Sequence, residues 1–294
     1  MRLVAPTAFK GTMSPLGAAR HLALPGDRLL PLSDGGDGFV ESLHYALGGV
    51  FREFSAADPY GRMRPVPVLE LPDGTAVVES AKVIGIAGLD RLDPFHASSR
   101  GLGELLAMLQ SAPRLWIGLG GSATMDGGMS WPTLNLPQAI VFCDVRTDLS
   151  NAVEIYGPQK GASAADIPIL TKRLMSLGLP TGPFTGAAGG LGAKLCARGG
   201  KLVSGAEEFL KVVHFEKLCR ECDAVITGEG RLDKSTLEGK LPFVVAQKAR
   251  QLGLKVIGRF GCKGEGWENA AHYFDEVAFG TETPVDPNAS HQKS

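Results

Sequence analysis

A dominant charge is missing from this sequence. Its 294 residues carry 30 Lys and Arg against 31 Asp and Glu, a formal net charge of −1. No global field therefore draws the chain onto nucleic acid or an anionic membrane surface. Aromatic residues are few, at 7%. No apolar run reaches the ~18 to 20 residues that a membrane-spanning helix needs. Cysteine is sparse and odd in number: Cys143, Cys196, Cys219, Cys222 and Cys262 lie scattered, which excludes a disulfide framework. Cys219 and Cys222 form one C-x-x-C, in LCRECDAVI, without a second ligand pair at zinc spacing. It reads as the last turn of a helix entering a strand. The opening MRLVAPTAFKG is broken at Pro6 and reads as a first strand rather than a leader, so the cytoplasm is the expected location.

What the chain has in excess is glycine, 39 residues or about 13% against a usual ~7%. The excess sits in a few loops. GLGGSATMDGG, Gly118 to Gly128, spends five of eleven residues on glycine around one acidic side chain, Asp126. Glycine loses more backbone entropy on ordering than any other residue, so such a loop implies close approach of bare backbone to something.

Strand-like and helix-like runs alternate. RLVAPTAF, RLLPLS, RLWI, DAVI and KVIGRFG read as strands. Between them SPLGAARHLAL (Ser14 as N-cap, Pro15 in the first turn), DGFVESLHYAL, GLGELLAMLQSA, EEFLKVVHFEKLCREC and LPFVVAQKARQLG read as helices. Near-continuous apolar strands in β-α order predict an α/β fold, a flavodoxin-like, doubly wound, mostly parallel sheet with a second, smaller α/β domain inserted. The expected division is 1–50, 96–130 and 205–280 for the first domain and 51–95 with 131–204 for the second. In the latter, PVPVLELPDGTAVVESA predicts a hairpin at Pro72-Asp73-Gly74 and AIVFCDV a short strand. Residues 281–294 read as a disordered tail.

Four glycine clusters deliver the chain to helices: SDGGDGF, GLGGSATMDGG, GAAGGLGAKL and GEGRLDKSTLEGK. Ligands of parallel α/β sheets bind beyond the carboxyl ends of the strands, so the three loops that follow strands are expected to converge there. Backbone N–H groups and helix N-termini in such loops suit phosphate; a tight turn is the competing reading for any one loop. No Walker A pattern is present. GLGGSA matches G-x-G-x-x-A, but Gly127-Gly128 would interrupt the helix that a dinucleotide fingerprint requires. Asp34, Asp37, Asp126, Glu229 and Asp233 all lie in the glycine loops. Capping suits Asp37 and Asp233 and suits Asp126 poorly, because two glycines follow it. Phosphoryl transfer to an alcohol asks for a carboxylate at the hydroxyl, oxygens for Mg²⁺ and cations on the moving charge. Lys10 and Lys240 are placed to be those cations, with a solvated surface charge as the alternative for each.

PTAFKGTMS, SDGGDG, GLGGSATMDGG, YGPQKGA, GAAGGLGA and GEGRLDKSTLEGKLP, in this order, resemble the glycerate kinases of type I, the glycerate 2-kinases. The resemblance runs from the first strand to about Gly261. It implies phosphorylation of D-glycerate by ATP with Mg²⁺, giving 2-phosphoglycerate, and a flavodoxin-like lobe paired with a second α/β lobe that together frame the active site. It further implies catalytic roles for Asp126, Lys10 and Lys240. Gly120, Gly121, Ser122, Thr124, Gly189, Gly190 and Arg231 would bind substrate or phosphate, and Asp34, Glu229 and Asp233 would hold the metal. Partners are D-glycerate and ATP, with no nucleic acid and no membrane; a homo-oligomer is left open.

The chain departs from the family pattern in places. Thr7 and Ala8 stand for the usual Asp and Ser, and Met125 for the usual Asn. ESAKVIGI keeps Glu79 and Ala81 but has Val83-Ile84 for Ala-Ser. After Gly128 a normally long segment is cut to MSWPTLNLPQ, and the next motif survives as DVRTDLSNA. A reduced second lobe follows from this. Two other functions compete: a weakened member that senses nucleotide or a small hydroxy acid, and a nicotinamide-dependent oxidoreductase resting on GLGGSA alone.

Overall fold

Eleven strands build two sheets in a computed structural model that describes residues 1–280. In chain order they are β1 (Arg2–Val4), β2 (Arg28–Leu29), β3 (Val50–Ala57), β4 (Met63–Glu70), β5 (Thr75–Glu79) and β6 (Arg114–Leu119). Then come β7 (Ala139–Cys143), β8 (Lys201–Ser204), β9 (Ala224–Leu232), β10 (Lys255–Lys263) and β11 (Glu276–Phe279). The expected tail, 281–294, lies outside the described residues.

The chain divides into two units, one of residues 1–33, 41–46 and 209 onward, the other of 34–40 and 47–208. The first unit holds a parallel five-stranded sheet in the order β11-β10-β9-β1-β2. Numbered within that sheet, the order is the flavodoxin-like 2-1-3-4-5. Helix Pro15–Leu22 starts where expected: the Ser14 hydroxyl accepts from the Gly17 N–H at 3.1 Å, with Pro15 in the first turn. It buries Ala18, Ala19 and Leu22 against Val4, Phe9, Ile226 and Ile257. The expected single helix before β9 is instead two, Gly205–Val212 and Phe215–Cys219, broken at His214 with φ +54°. Cys219 and Cys222 are buried in the turn that follows, and burial pushes the Cys219 thiol up to about 12. A protonated buried thiol is inert, in line with the structural reading of this C-x-x-C.

The second unit holds a six-stranded sheet, β3-β4-β5-β6-β7-β8, antiparallel over the first three strands and parallel from β5 to β8. The β4–β5 hairpin closes at the expected turn, where Asp73 accepts from the Thr75 N–H at 2.9 Å. Two of the expected boundaries differ. RLWI, expected in the first sheet, is β6 at the heart of the second, and 96–130 belongs wholly to this unit. The fifth strand of the first sheet is β11, EVAF, which sequence reading missed. Residues 34–40 also group with the second unit. A fully buried parallel strand is an apolar run in whichever sheet it lies, so composition could not assign β6.

Two apolar clusters support this second sheet. Leu102, Leu105 and Leu106 pack on Leu115, Ile117 and Val141. Val83 and Ile84, which stand for the family's Ala-Ser pair, lie in the same cluster. Met125, Leu149, Val153, Leu170 and Leu174 form the other. Met125 is fully buried there, so its departure from Asn fills a core position. Restoring the family residue is expected to harm the fold. Met125→Asn would bury an amide among apolar side chains and cost about 2 to 4 kcal/mol of stability in a denaturant titration.

Candidate active site

No helix follows β6; residues 120–138 run as loop to β7. The GLGGSA match therefore lacks the helix N-terminus that a dinucleotide pyrophosphate would need. The loop instead packs against other backbone. A Cβ on Gly120 would lie 2.6 Å from Asp144 Oδ2 and 2.9 Å from Gly36 Cα. Gly189, at φ +70°, lies so close that a Cβ would overlap the Thr124 carbonyl oxygen. Loops 34–38, 118–128 and 186–190 thus meet in one unit, while 228–240 lies in the other. This differs from the expected trio of strand-following loops.

Hydrogen bonds fix the glycine loop at several points. The Ser80 hydroxyl, fully buried, donates to the Gly120 carbonyl at 3.0 Å and accepts from the Gly120 N–H at 3.2 Å. Ala123 N–H donates to the Ile84 carbonyl, Ile86 N–H to the Gly121 carbonyl, and Gly127 N–H to the Gly189 carbonyl. The Gly120 amide therefore serves the fold and not an anion.

Beside this loop, beyond the carboxyl ends of β6 and β7, lies an open cavity of about 330 Å³. Gly120, Gly121, Ser122, Asp144, Tyr156 and Lys160 give it its polar lining, and Ile86, Val145 and Ala188 its apolar one. Lys160 and Asp144 lie in the YGPQKGA and DVRTDLSNA motifs, and sequence reading gave neither a role. Helix Ala152–Tyr156 runs into a tight turn at Pro158–Lys160, closed by Gly161 at φ +94°, and that turn carries Lys160. Lys160 is only 3% exposed. Its ammonium donates to the Ser122 hydroxyl at 3.0 Å and to the Thr124 carbonyl at 2.9 Å. Burial pushes Lys160 down to about 8, against the opposing pull of the Asp144 and Asp126 carboxylates. Tyr156 is held through its hydroxyl, 2.6 Å from Thr147 Oγ1.

The remaining expected residues of this unit support the cavity from outside its lining. Asp126 is buried, and its Oδ2 accepts from the Ser99 N–H at 2.8 Å and the Ser99 hydroxyl at 3.0 Å. It anchors the start of helix Arg100–Met108, with Trp131 Nε1 donating to the same Ser99. Capping therefore does describe Asp126, but of a helix 27 residues earlier in the chain, which local sequence could not reveal. Its charge also favours the ammonium of Lys194 as well as that of Lys160. Thr124 contributes its carbonyl to Lys160, and its hydroxyl is buried without a partner. Gly189 and Gly190 back the loop, and Ala188, left-handed at φ +50°, touches the cavity in their place. Asp34 Oδ1 faces its own loop, at 3.4 Å from the Gly36 N–H. Glu79, retained from the family pattern, accepts from the Gly38 and Val40 N–H groups.

In the other unit the carboxyl end of β9 carries a second polar group. Glu229 Oε1 accepts from the Thr236 hydroxyl at 2.9 Å, and Lys240 Nζ lies 3.7 Å from both Glu229 Oε2 and Asp233 Oδ1. Asp233 caps the turn Lys234–Glu238, as its sequence position suggested. Burial opposes its ionisation, but the Ser235 hydroxyl and Lys240 outweigh that and hold its carboxyl below the usual range. The Lys10 backbone runs beside Gly230, and Lys10 and Arg231 are exposed. Thr7 is engaged in the fold, its hydroxyl donating to the Gly228 carbonyl at 3.2 Å. Among the described residues no three His, Cys, Asp or Glu side chains cluster as a metal site, so Asp34, Glu229 and Asp233 do not form one. Glu229 and Asp233 alone are a two-carboxylate oxygen set of the kind that holds Mg²⁺ when phosphate supplies the other ligands.

Comparison with known proteins decides the family. The glycerate kinase family pattern matches residues 2–131 and 131–294. This chain belongs to the glycerate kinase family. The match breaks at residue 131, inside the segment read above as shortened. A glycerate kinase of Halalkalibacterium halodurans is 32% identical, over 94% of this chain and 89% of that protein. The glycerate 2-kinase of Escherichia coli is also 32% identical, over 88% and 84%. A crystal structure assigned as glycerate kinase 2 from Salmonella typhimurium LT2 superposes with a TM-score of 0.75 at 29% identity, covering 95% of this chain and 89% of that one. The chain is thus a glycerate kinase with the α/β architecture of its relatives. Among the described residues no helix is long and apolar enough to cross a membrane.

The Lys160 ammonium should tax the fold. Its proton is bound less tightly in the folded chain than in the unfolded one, so the cost is complete below pH 8 and fades as pH rises toward 10.5. A shift of that size corresponds to about 3 kcal/mol, offset in Lys160→Met by the bonds lost at Ser122 and Thr124. Lys160→Met is therefore expected to be as stable as the wild type or more so at pH 7. The wild type should gain on the variant between pH 7.5 and 10 in paired denaturant titrations.

Proposed function

We propose that this glycerate kinase transfers the γ-phosphoryl group of ATP to the 2-hydroxyl of D-glycerate, giving 2-phosphoglycerate. The observation that carries this reading is the cavity at the carboxyl ends of β6 and β7, sized for a small polar acceptor and lined by both a carboxylate and an ammonium. In this reading Asp144 is the base. As the acceptor oxygen bonds to the γ-phosphorus and the bond to the ADP oxygen breaks, the hydroxyl proton passes to an Asp144 carboxylate oxygen. Asp126, which sequence reading favoured for this task, acts as a positioning residue through Ser99 and the charge it sets opposite Lys160.

Glu229 and Asp233 would hold Mg²⁺ with the nucleotide phosphates, and that ion supplies charge neutralisation on the phosphate oxygens. Lys240 and Lys10 are the cations for the transferring charge, and Arg231 is a further exposed cation beside them. The hydrogen bond from Thr236 keeps the Glu229 carboxylate pointed toward Lys240. The departures at Thr7 and Met125 leave this machinery standing, because both side chains serve the fold.

An assay of ADP release with ATP, Mg²⁺ and D-glycerate, with ³¹P NMR of the product, tests the reaction. The expected result is a phosphate coupled to the C2 proton; a C3 phosphate or no turnover would sink it. Asp144→Asn should lower kcat by ~10² to 10⁴-fold, the usual worth of a positioned base. Asp126→Asn should instead lose about 1 kcal/mol of stability through its weakened cap, with kcat within tenfold of the wild type. The opposite pattern would return the base to Asp126. Glu229→Gln should raise the Mg²⁺ concentration needed for half-maximal rate severalfold and leave the D-glycerate KM unchanged.

A further inference from the structure

The role of Lys160 goes further than lining a cavity. Lysine is almost never fully buried unless paired, and a buried ammonium is costly without an anionic partner. Lys160 is buried, yet its two hydrogen-bond acceptors, the Ser122 hydroxyl and the Thr124 carbonyl, are both uncharged. The turn Pro158–Lys160 and the fixed loop 120–124 leave the ammonium little freedom to retreat. It faces a cavity open to solvent on whose wall one acidic side chain, Asp144, also stands. A buried cation in an accessible pocket of this kind is an anion receptor that uses neutral oxygens when empty.

We propose that Lys160 binds the carboxylate of the acceptor, exchanging one or both of its bonds to Ser122 and Thr124 for an ion pair. The inference rests on the acceptor occupying this cavity, as proposed above. Opposite charges on the cavity wall then orient a hydroxy acid without further contacts. The carboxylate end goes to Lys160 and is repelled by Asp144, which leaves the hydroxyl end for Asp144. Ile86, Val145 and Ala188 offer no charge to a second acidic group, so the fitting class is a small monocarboxylic hydroxy acid. Lys160 is thereby the residue that tells glycerate from glycerol.

The test is calorimetric titration of the full chain with D-glycerate, its primary amide and glycerol, beside steady-state kinetics. Wild type should bind D-glycerate at least about tenfold more tightly than the amide. Lys160→Met should weaken D-glycerate binding and raise its KM by about 10- to 100-fold, with amide binding and the ATP KM unchanged within about twofold. Ser122→Ala, which removes a competitor for the ammonium, should keep D-glycerate affinity or raise it severalfold. Three results would overturn the inference: unchanged D-glycerate binding in Lys160→Met, equal loss of acid and amide, or a raised KM for ATP instead, which would assign the ammonium to a phosphate. Wild-type turnover with no effect of Lys160→Met leaves the proposed reaction standing and removes only this role. Lys160-dependent preference for the acid without any turnover does the reverse. Wild type that binds neither D-glycerate, L-glycerate nor glycolate removes both.

Discussion

The second unit is organised around one buried ammonium. Lys160 reaches the Ser122 hydroxyl and the Thr124 carbonyl, and thereby pins the middle of the loop that leaves β6. That loop can come so close only because Gly120 and Gly189 lack side chains where other backbone and the Asp144 carboxylate pass. Ser80 fixes the Gly120 peptide from another side. The glycines, costly in entropy, are therefore what allows a charged group to be enclosed by neutral oxygens. Replacing a buried charge with an apolar group is often neutral or stabilising, so the fold alone has no need of this lysine. Its position makes sense through the cavity it faces.

The extent to which this was readable from sequence follows from what each signal reports. The flavodoxin-like sheet was expected with five strands, and it has five, but one expected member was exchanged. RLWIGL and EVAF are both short apolar runs, and nothing local states which neighbour a buried parallel strand pairs with. The hairpin at Pro72-Asp73-Gly74 and the Ser14 cap were legible because turns and caps are decided within four residues. Asp126 was misjudged as a poor cap for the opposite reason: the N–H it accepts lies 27 residues away. Lys160 carried no local signal beyond its motif, since a lysine between Gln159 and Gly161 in a turn reads as exposed.

The departures from the family pattern change meaning once burial is known. Asn to Met at 125, and Ala-Ser to Val83-Ile84, exchange polar or small groups for apolar volume in the interior. A shortened lobe has less chain with which to cover its sheet, and larger apolar side chains recover part of that burial. Thr7 is tied to the Gly228 carbonyl through both its N–H and its hydroxyl, so it joins β1 to β9 at their carboxyl ends. These are adjustments of the scaffold. The side chains that line the cavity, among them Ser122, Asp144, Tyr156 and Lys160, are outside the departures from the family pattern.

Two carboxylates with different surroundings divide the work around Lys160. Asp126 is buried and already accepts from Ser99 and its own loop, so its charge is fixed in place and unable to follow a substrate. Asp144, at the end of β7, is half-buried and faces the cavity. A base must reach the proton that it takes, within about 3 Å, which favours the carboxylate on the wall over the one behind it. A fixed charge behind Lys160 has a separate value. It keeps the ammonium protonated at neutral pH despite the burial that pushes it toward 8, so a carboxylate entering the cavity meets a cation. Removing either acid would leave the cavity's shape largely intact, yet would disable different steps: one the proton transfer, the other the charge that recognises the substrate.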